Sequence, residues 1–351
     1  MRPARRGYQP QREQQVDPGR QAGDEVASPL VGRDDGMNET FDAEYVLPLR
    51  WDAGADLGEL TTYLARLSRV IDVTVVDGSS GPAFDEHHQA WSRWVRHLPP
   101  EPWPGRNGKV RGVVTGVRLA RHPVVVIADD DVRYTTETLG RALDLLDDAD
   151  LVVPQNVFST WPWHARWDTG RQVANRALGG DFPGTLVLRR SALPHGYDGD
   201  VLFENLELML TVAASGGRVR RADDLFVDRL APTTSHFWSQ RVRQAYDSLA
   251  QPGRLLAEAA LLPAVLLSLR HPGRLAALAA GAVALGEVGR RKAGGASRFP
   301  RTAALWTPVW LAERAVCTWL ALGLRLRGGV RYGDGRILRA TSAAARRSRS
   351  S

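Results

Sequence analysis

Three consecutive aspartates follow a short apolar segment near the middle of the chain. Asp129, Asp130 and Asp131 come directly after Val124–Ala128, whose five apolar residues predict a buried strand. Adjacent carboxylates repel one another, so such a cluster favours a bound cation. Carboxylate oxygens beside a diphosphate suit Mg²⁺ or Mn²⁺, which would neutralise charge on the diphosphate as it departs. A second interpretation stays open, in which the aspartates form an acidic turn before the next helix.

Alternating strands and helices are predicted to position this cluster. Apolar runs predict strands over 45–49, 73–76, 124–128, 151–153 and 185–188. Apolar residues at helical spacing predict helices over 57–71 and 139–146 and another from about 204. This alternation predicts an α/β fold with a mostly parallel sheet flanked by helices. Such sheets bind ligands beyond the carboxyl ends of their strands, and the polar segments 77–80 and 129–131 both lie at strand ends.

Four segments of the chain occur in an informative order. They are Val75–Ser80 after the strand that contains Pro48, Asn107–Lys109 with 115–120, Asp129–Asp131, and Phe182–Thr185 with Phe203–Leu208. In this order they resemble a family 2 glycosyltransferase of the GT-A type, closest to its ceramide-glucosyltransferase-like branch. The resemblance covers residues 44 to 217, and the ordered set is more specific than any one motif.

The resemblance implies an inverting enzyme that uses a UDP- or GDP-linked sugar. In the family, the residue that matches Asp77 contacts the nucleobase, and a DxD motif, met here by Asp129 and Asp131, holds the metal. The implied nucleotide-sugar site consists of Asp77, Ser79, Lys109, Asp130, Gln240 and Arg243.

Two positions depart from the family pattern. Asn205 stands where the family has an aspartate that acts as catalytic base, and an amide does not take up a proton at neutral pH. Glu204 and Glu207 flank it, and either carboxylate could deprotonate an acceptor hydroxyl or simply favour a helix N-terminus. The family's Gln-x-x-Arg-Trp motif keeps Gln240 and Arg243 but has Gln244 in place of tryptophan. Arg243 would hold the diphosphate or lie on a helix surface.

The C-terminal third differs in amino-acid composition from the rest of the chain. Apolar segments over 255–269, 275–286 and 303–324 alternate with basic residues, and Glu313 and Arg314 interrupt the last of them. These features favour interfacial or re-entrant membrane helices over simple spans, because a charge is unfavourable in hydrocarbon unless it faces protein. The alternative is a helical subdomain packed on the catalytic domain.

Charge is also distributed unevenly along the chain of 351 residues, whose net charge is +7. From Arg270 onward, sixteen Arg and Lys outnumber three acidic residues, so this stretch carries +13 and the remainder −6. A neutral-to-acidic body with a basic C-terminal part argues against a nucleic-acid-binding protein and for contact with an anionic membrane. The single cysteine, Cys317, excludes an intrachain disulfide.

The predicted organisation has four parts: a disordered tail over 1–40, a GT-A catalytic domain over 41–250, membrane-associated helices over 251–330 and a basic tail over 331–351. Met37 is an alternative start to Met1. The predicted function is metal-assisted transfer of a sugar to a hydroxyl of a lipid or lipid-linked acceptor, at the cytoplasmic side of the cell membrane. One alternative is an inactive glycosyltransferase-like scaffold, which Asn205 favours. The other is a nucleotidyltransferase, which would carry a glycine-rich loop for a triphosphate after the first strand; the segment Leu49–Gly54 at that place matches such a loop poorly.

Overall fold

A computed structural model describes residues 40–333 and 335–342. Residues 1–39 of the tail predicted over 1–40, the alternative start at Met37 and the final residues 343–351 lie outside the described part of the chain. The described residues form one compact unit around a mixed β-sheet.

The strands are Phe41–Leu49 (β1), Ile71–Asp77 (β2), Arg96–Leu98 (β3), Val124–Ala128 (β4), Val132–Arg133 (β5), Leu151–Phe158 (β6), Thr185–Arg189 (β7), Val219–Arg229 (β8), Val330–Tyr332 (β9) and Gly335–Ile337 (β10). The α-helices are Gly58–Leu67 (α1), Gly81–Trp91 (α2), Gly108–Leu119 (α3), Thr136–Asp144 (α4), Trp163–Ala177 (α5), Glu204–Ala214 (α6), Thr234–Asp247 (α7), Pro252–Ser268 (α8), Pro272–Arg291 (α9) and Thr307–Leu326 (α10). Short 3₁₀ helices cover Leu145–Asp148, Arg190–Ala192, Ser248–Ala250, Lys292–Ser297 and Ala303–Trp306.

The large sheet has the strand order β3-β2-β1-β4-β7-β6-β8-β5. Strands β3, β2, β1 and β4 run parallel to one another, which confirms the α/β prediction for this half. Strand β7 enters antiparallel between β4 and β6, whereas β6 and β8 are parallel. The antiparallel entry of β7 was not predicted from its apolar run, because a strand buried on both faces carries no sign of its direction.

Both faces of the sheet are covered by helices, as the side-chain alternation of β1 illustrates. Tyr45 and Leu47 are buried in a core that includes residues of α1, such as Leu60 and Leu64. Val46 points the other way into a second core with Val113 and other residues of α3. Two apolar cores on opposite faces fix the orientation of β1 and leave its carboxyl end free for a binding site.

The C-terminal helices pack on the α/β body. Helix α9 lies along α5, where Arg176 is fully buried and donates to the carbonyl of Gly289. Helix α10 contacts α5, α7 and α8, and Glu313 accepts a hydrogen bond from Trp167 Nε1 at 2.8 Å. The charges at the middle of α10 therefore face protein, and this packing corresponds to the helical-subdomain alternative.

None of the helices in the described part of the chain has the length and hydropathy that crossing a membrane requires. Helix α10, whose charged middle packs on the body, gives no support to the prediction of membrane helices, whereas α8 leaves several leucines exposed.

The segment that was predicted to be a basic tail begins as a folded hairpin. Strands β9 and β10 pair antiparallel, and the chain then returns to the start of α6. There Leu202 and Phe203 donate their backbone N–H groups to the carbonyls of Arg339 and Ala340. Tyr332 donates to Asn107 Oδ1 at 2.8 Å, which ties the hairpin to the body near the N-terminus of α3.

Candidate active site

A cleft of about 930 Å³ lies beyond the carboxyl ends of the parallel strands. Its wall includes Leu49 at the end of β1, Gly78 just after β2 and the aspartate triplet just after β4. Residues of α3, α5, α6, α7, α8, α10 and the β9–β10 hairpin also line it. The cleft is therefore at the edge of the sheet where the sequence places ligand binding.

Lys109 joins two of the carboxylates in this cleft. Its Nζ lies 2.6 Å from Asp129 Oδ1 and 2.5 Å from Glu204 Oε1. Burial alone would lower the pKa of Lys109, but the two carboxylates outweigh it and hold the pKa above its ordinary value. The cluster joins β4, α3 and α6, which are far apart in the sequence.

Local structure explains how Lys109 and Glu204 reach these positions. Asn107 is the N-cap of α3, and its Oδ1 accepts from the backbone N–H of Lys109 at 3.0 Å. Glu204 is the first residue of α6, where a carboxylate is favoured by the helix dipole, and Tyr197 donates to its Oε2 at 3.2 Å.

Asn205, the departure from the family pattern, is part of the same network. Its Nδ2 donates to the carbonyl of Pro183 at 2.9 Å, and its Oδ1 lies 3.4 Å from Lys109 Nζ. An aspartate could not donate to that carbonyl and would add a third carboxylate around one ammonium. The amide therefore fits the local hydrogen bonding, and Glu204 is the neighbouring carboxylate that lines the cleft.

Asp131 is held by an arginine that the sequence did not single out. Arg229, the last residue of β8, places Nε 2.7 Å from Asp131 Oδ2, and β8 pairs antiparallel with β5. The other oxygen, Asp131 Oδ1, is buried without a hydrogen-bond partner in the described part of the chain. An unpartnered carboxylate oxygen beside Asp129 is the kind of hard donor that Mg²⁺ or Mn²⁺ prefers, so these residues fit a divalent cation.

Asp130 forms an ion pair with neither Lys109 nor Arg229, and its side chain is directed to Trp51, just after β1. Its Oδ2 accepts from Trp51 Nε1 at 2.5 Å. Burial, together with the charge of Asp131, raises the pKa of Asp130 above its ordinary value. Asp130 still lines the cleft, as does Lys109 among the other predicted nucleotide-sugar contacts.

Asp77 and Ser79, by contrast, are not among the residues that line the cleft. Asp77 is only 1% exposed, and its Oδ2 lies 2.6 Å from His87 Nδ1 and 3.1 Å from His97 Nε2. Burial would raise the pKa of Asp77, but hydrogen bonds from His97, Ser79 and His87 hold it well below its usual range. Ser79 Oγ accepts from the backbone of Trp51. Asp77 and Ser79 flank Gly78, which does line the cleft.

The same three residues, Asp77, His87 and His97, have ligand atoms within 4.8 Å of one another, so they could in principle hold a metal ion. The direct hydrogen bonds to Asp77 Oδ2 already occupy the oxygen that such an ion would need. The cluster is explained by the support it gives to the loop after β2.

Glu207 lies away from the cleft, one turn along α6 from Glu204. It is 1% exposed, and its Oε2 accepts from the backbone N–H of Ser342 at 2.8 Å. Burial raises the pKa of Glu207. The structure thus separates the two glutamates that the sequence left as equal candidates.

Gln240 and Arg243 both lie on the cleft side of α7. The guanidinium of Arg243 lies 5.3 Å from the ring centre of Tyr332 in the β9–β10 hairpin. The hairpin therefore contacts the arginine for which the sequence predicted a role in holding the diphosphate. Neither Tyr332 nor Arg229 could be recognised from the sequence, since each acts through a contact between distant segments.

Comparison with known proteins gives one family match. Residues 55–202 match the model described as Glycosyl transferase family 2. The matched region contains Lys109 and the aspartate triplet but ends just before Glu204. No curated protein matches the chain. The ceramide-glucosyltransferase-like branch stays a prediction.

Several solved structures show weak overall similarity. Mannosyltransferase PcManGT from Pyrobaculum calidifontis, in complex with GDP-Man and Mn²⁺, is 21% identical, with 83% of this chain and 91% of that chain covered and a TM-score of 0.47. TarS 1–349 from S. aureus is 13% identical over 84% of this chain and 97% of that one, with a TM-score of 0.42. Glucosyl-3-phosphoglycerate synthase from Mycobacterium tuberculosis, in complex with Mn²⁺, UDP and glucosyl-3-phosphoglycerate, is 15% identical over 57% and 75%, with a TM-score of 0.40. Similarity at this level gives no correspondence of individual residues.

Proposed function

We propose that the protein is a metal-assisted, inverting glycosyltransferase that moves a sugar from a UDP- or GDP-linked donor to a hydroxyl of a lipid or lipid-linked acceptor. The observation that supports this best is the convergence of Asp129, Asp131, Lys109, Glu204 and Arg243 on one cleft. The family match over 55–202 supports the same class of reaction.

In the proposed reaction Glu204 acts as the base. Its carboxylate takes the proton of the acceptor hydroxyl while the oxygen attacks the anomeric carbon. The bond from that carbon to the donor diphosphate breaks on the opposite face, and the nucleoside diphosphate leaves. Attack opposite the leaving group inverts the configuration at the anomeric carbon. Arg243 and Lys109 offer positive charge to the diphosphate.

Asp129 and Asp131 would hold the Mg²⁺ or Mn²⁺. When bound, the ion would supply charge neutralisation to the leaving diphosphate. Asp129 is placed for this role by its backbone N–H, which donates to the carbonyl of Gly184 at 2.8 Å. Lys109 Nζ contacts Asp129 Oδ1 and would compete with the ion for this oxygen.

A lipid acceptor is supported by the reversed pattern of α8. The side chains that α8 buries are Glu258 and Ser268, both polar, whereas Leu256, Leu266 and Leu267 are 72%, 55% and 75% exposed. A helix with its leucines outward presents an apolar surface of the kind that lies against lipid. Arg254, near the start of α8, lines the cleft, so the helix that carries this surface also forms part of the wall of the site.

We infer on the same grounds that the protein works at the cytoplasmic face of the cell membrane. Exposed Arg270 and Arg274 follow α8 and would face anionic head groups. Cosedimentation with vesicles of anionic and neutral phospholipid tests this placement. We expect binding to anionic vesicles that falls severalfold in a Leu266→Ser, Leu267→Ser double variant. Equal recovery of both proteins in the pellet would count against it.

The reaction itself is tested with a panel of UDP- and GDP-linked sugars. Release of nucleoside diphosphate is measured with Mn²⁺ or Mg²⁺, with EDTA, and with lipid extract as acceptor. We expect release from one donor that is metal-dependent and lost in Asp131→Asn. The matched control is Asp147→Asn, which changes an exposed aspartate away from the cleft.

Other outcomes would favour the alternatives. Binding of a nucleotide sugar with no turnover of any donor would indicate the inactive scaffold. Release of pyrophosphate from a nucleoside triphosphate would indicate a nucleotidyltransferase. Product analysis by NMR of the anomeric proton tests inversion directly.

A further inference from the structure

Arg314 is a buried charge whose guanidinium has no hydrogen-bond partner. It lies on α10, its side chain is fully buried, and it is among the residues that line the cleft. None of its three nitrogens makes a hydrogen bond within the described part of the chain. The ring of Trp310 lies 5.4 Å away and contacts one side of the group. An unpaired buried guanidinium is strongly unfavourable, so a partner of opposite charge is expected from outside the chain.

One further arginine, Arg254 on α8, lines the cleft close to Arg314. We call Arg254 and Arg314 the arginine cluster; Arg243, which is proposed to face the donor diphosphate, is not part of it. Arg254 Nε is 2.8 Å from Glu258 Oε1, so one member has a carboxylate partner. Glu313, the acidic neighbour of Arg314 in sequence, is directed to Arg241 and Trp167 instead.

Asp247, at the end of α7, faces the cluster in addition to Glu258 and Glu313. Burial raises its pKa to about 7, against the opposing charges of Arg243, Arg314, Arg254 and Arg171. Asp247 Oδ1 has no hydrogen-bond partner among the described residues. This carboxyl therefore offsets the charge of the cluster only in part near neutral pH. The guanidinium of Arg314 still has no hydrogen-bonded carboxylate in the described part of the chain, and the oxygens of a phosphoryl group would supply that partner.

We propose that the arginine cluster is an acceptor subsite that binds a phosphoryl group carried by the acceptor, with Arg314 as its central contact. This proposal rests on the proposed function for the identity of the reaction. The cluster and Glu204 line one cleft, so a hydroxyl borne on the same molecule as the phosphoryl group can reach the base. The phosphoryl group can belong to a soluble phosphate ester or to a phospholipid, and the chemistry that Arg314 recognises is the same.

The first test uses inorganic phosphate as probe and thermal unfolding as readout, with EDTA present. At phosphate ten times its Kd we expect Tm to rise by about 2–4 °C in the wild type. Arg314→Met should lose this rise, whereas Arg301→Met, which changes an exposed arginine, should keep it. Without phosphate, Arg314→Met should melt no lower than the wild type, because it replaces an unpaired buried charge by an apolar side chain.

These results separate a binding role from a structural one. A lower Tm of Arg314→Met without phosphate, with the phosphate-dependent rise retained, would show that Arg314 only stabilises the fold. No rise in the wild type would overturn the subsite. Neither measurement needs a sugar donor, so failure of the subsite is distinguishable from failure of the proposed function.

The second test compares acceptors in matched pairs, once a donor is known. Glycerol 1-phosphate is compared with glycerol, and phosphatidylglycerol with diacylglycerol, both in phosphatidylcholine vesicles. We expect transfer only to the phosphorylated member of a pair, and the pair that works identifies a soluble or a lipid source. Arg314→Met should raise KM for that acceptor at least tenfold, with a smaller effect on KM for the donor. Equal use of both members of each pair would refute the proposal.

Discussion

Replacing each of the two glutamates at the start of α6 by glutamine separates catalysis from folding. Glu204 Oε1 lies 2.5 Å from Lys109 Nζ in the cleft, whereas Glu207 is buried against the backbone of Ser342. Glutamine keeps a side-chain oxygen that accepts hydrogen bonds at both positions but cannot take up a proton. The two substitutions are therefore the same chemical change one turn apart on one helix.

The expected effect of Glu204→Gln follows from the proposed role of Glu204 as base. Loss of a general base lowers kcat by about 10²–10⁴-fold. This corresponds to roughly 3–5 kcal/mol of transition-state stabilisation, at about 1.36 kcal/mol for each factor of ten. Folding should be little affected, since the amide oxygen can still accept from Lys109 and the amide nitrogen can donate to the hydroxyl oxygen of Tyr197.

Glu207→Gln should instead leave kcat within about twofold of the wild type. The hydrogen bond from Ser342 would pass from a charged to a neutral acceptor, a difference of about 1 kcal/mol. The lowering of Tm should be at most about 2–4 °C.

The assay is steady-state release of nucleoside diphosphate at saturating donor and acceptor, with thermal unfolding of each variant alongside. The reasoning would be refuted by a Glu204→Gln enzyme of normal kcat. Equal loss of kcat in both variants would show that the helix, and not one carboxylate, is being perturbed.

Three further predictions concern the same cleft. The carboxyl of Asp247 is neutral at pH values below its pKa of about 7, and at higher pH it is a carboxylate that competes with the acceptor for the arginine cluster. KM for a phosphorylated acceptor should therefore rise from pH 6 to pH 8. Asp247→Asn should make KM independent of pH over this range. Lys109→Met should tighten Mn²⁺ binding by about fivefold, roughly 1 kcal/mol, because Nζ no longer competes for Asp129 Oδ1, and titration calorimetry that found weaker binding would contradict this. Gly184→Ala should lower Mn²⁺ affinity and kcat at least tenfold, since its Cβ would lie 2.5 Å from Asp129 Oδ2, whereas Gly81→Ala, with open space around it, should change neither.

The parts of the fold that the sequence predicts well are those with a local signal. The strand Val124–Ala128 has the predicted bounds because its apolar run is short and ends abruptly at charged residues. Helix α6 begins at Glu204, where the predicted helix starts. The cleft lies at the predicted edge of the sheet because parallel strands direct their carboxyl ends to one side.

Features that depend on contacts between distant segments could not be predicted. Strand β8 was not predicted, because its apolar run Leu225–Val227 is short and lies between arginines and aspartates. Its last residue, Arg229, consequently gave no sign that it holds Asp131. Asp77 carries the expected motif, but His87 and His97 lie ten and twenty residues further on and surround its carboxylate. Arg314 was interpreted as a charge within an apolar helix, and only the packing of α10 shows that it lines the cleft.

Because the hairpin over Val330–Ile337 is synthesised late, the cleft is completed only after the sheet during translation. Translation completes β8 at Arg229 about 110 residues before it reaches Ser342, which bonds to α6. At about 5–20 residues per second, a ribosome spends roughly 6–20 seconds on this interval. A nascent chain can therefore complete its large sheet before the hairpin that carries Tyr332 is made. During synthesis, the α/β body should become resistant to proteolysis before the chain is able to bind the donor diphosphate.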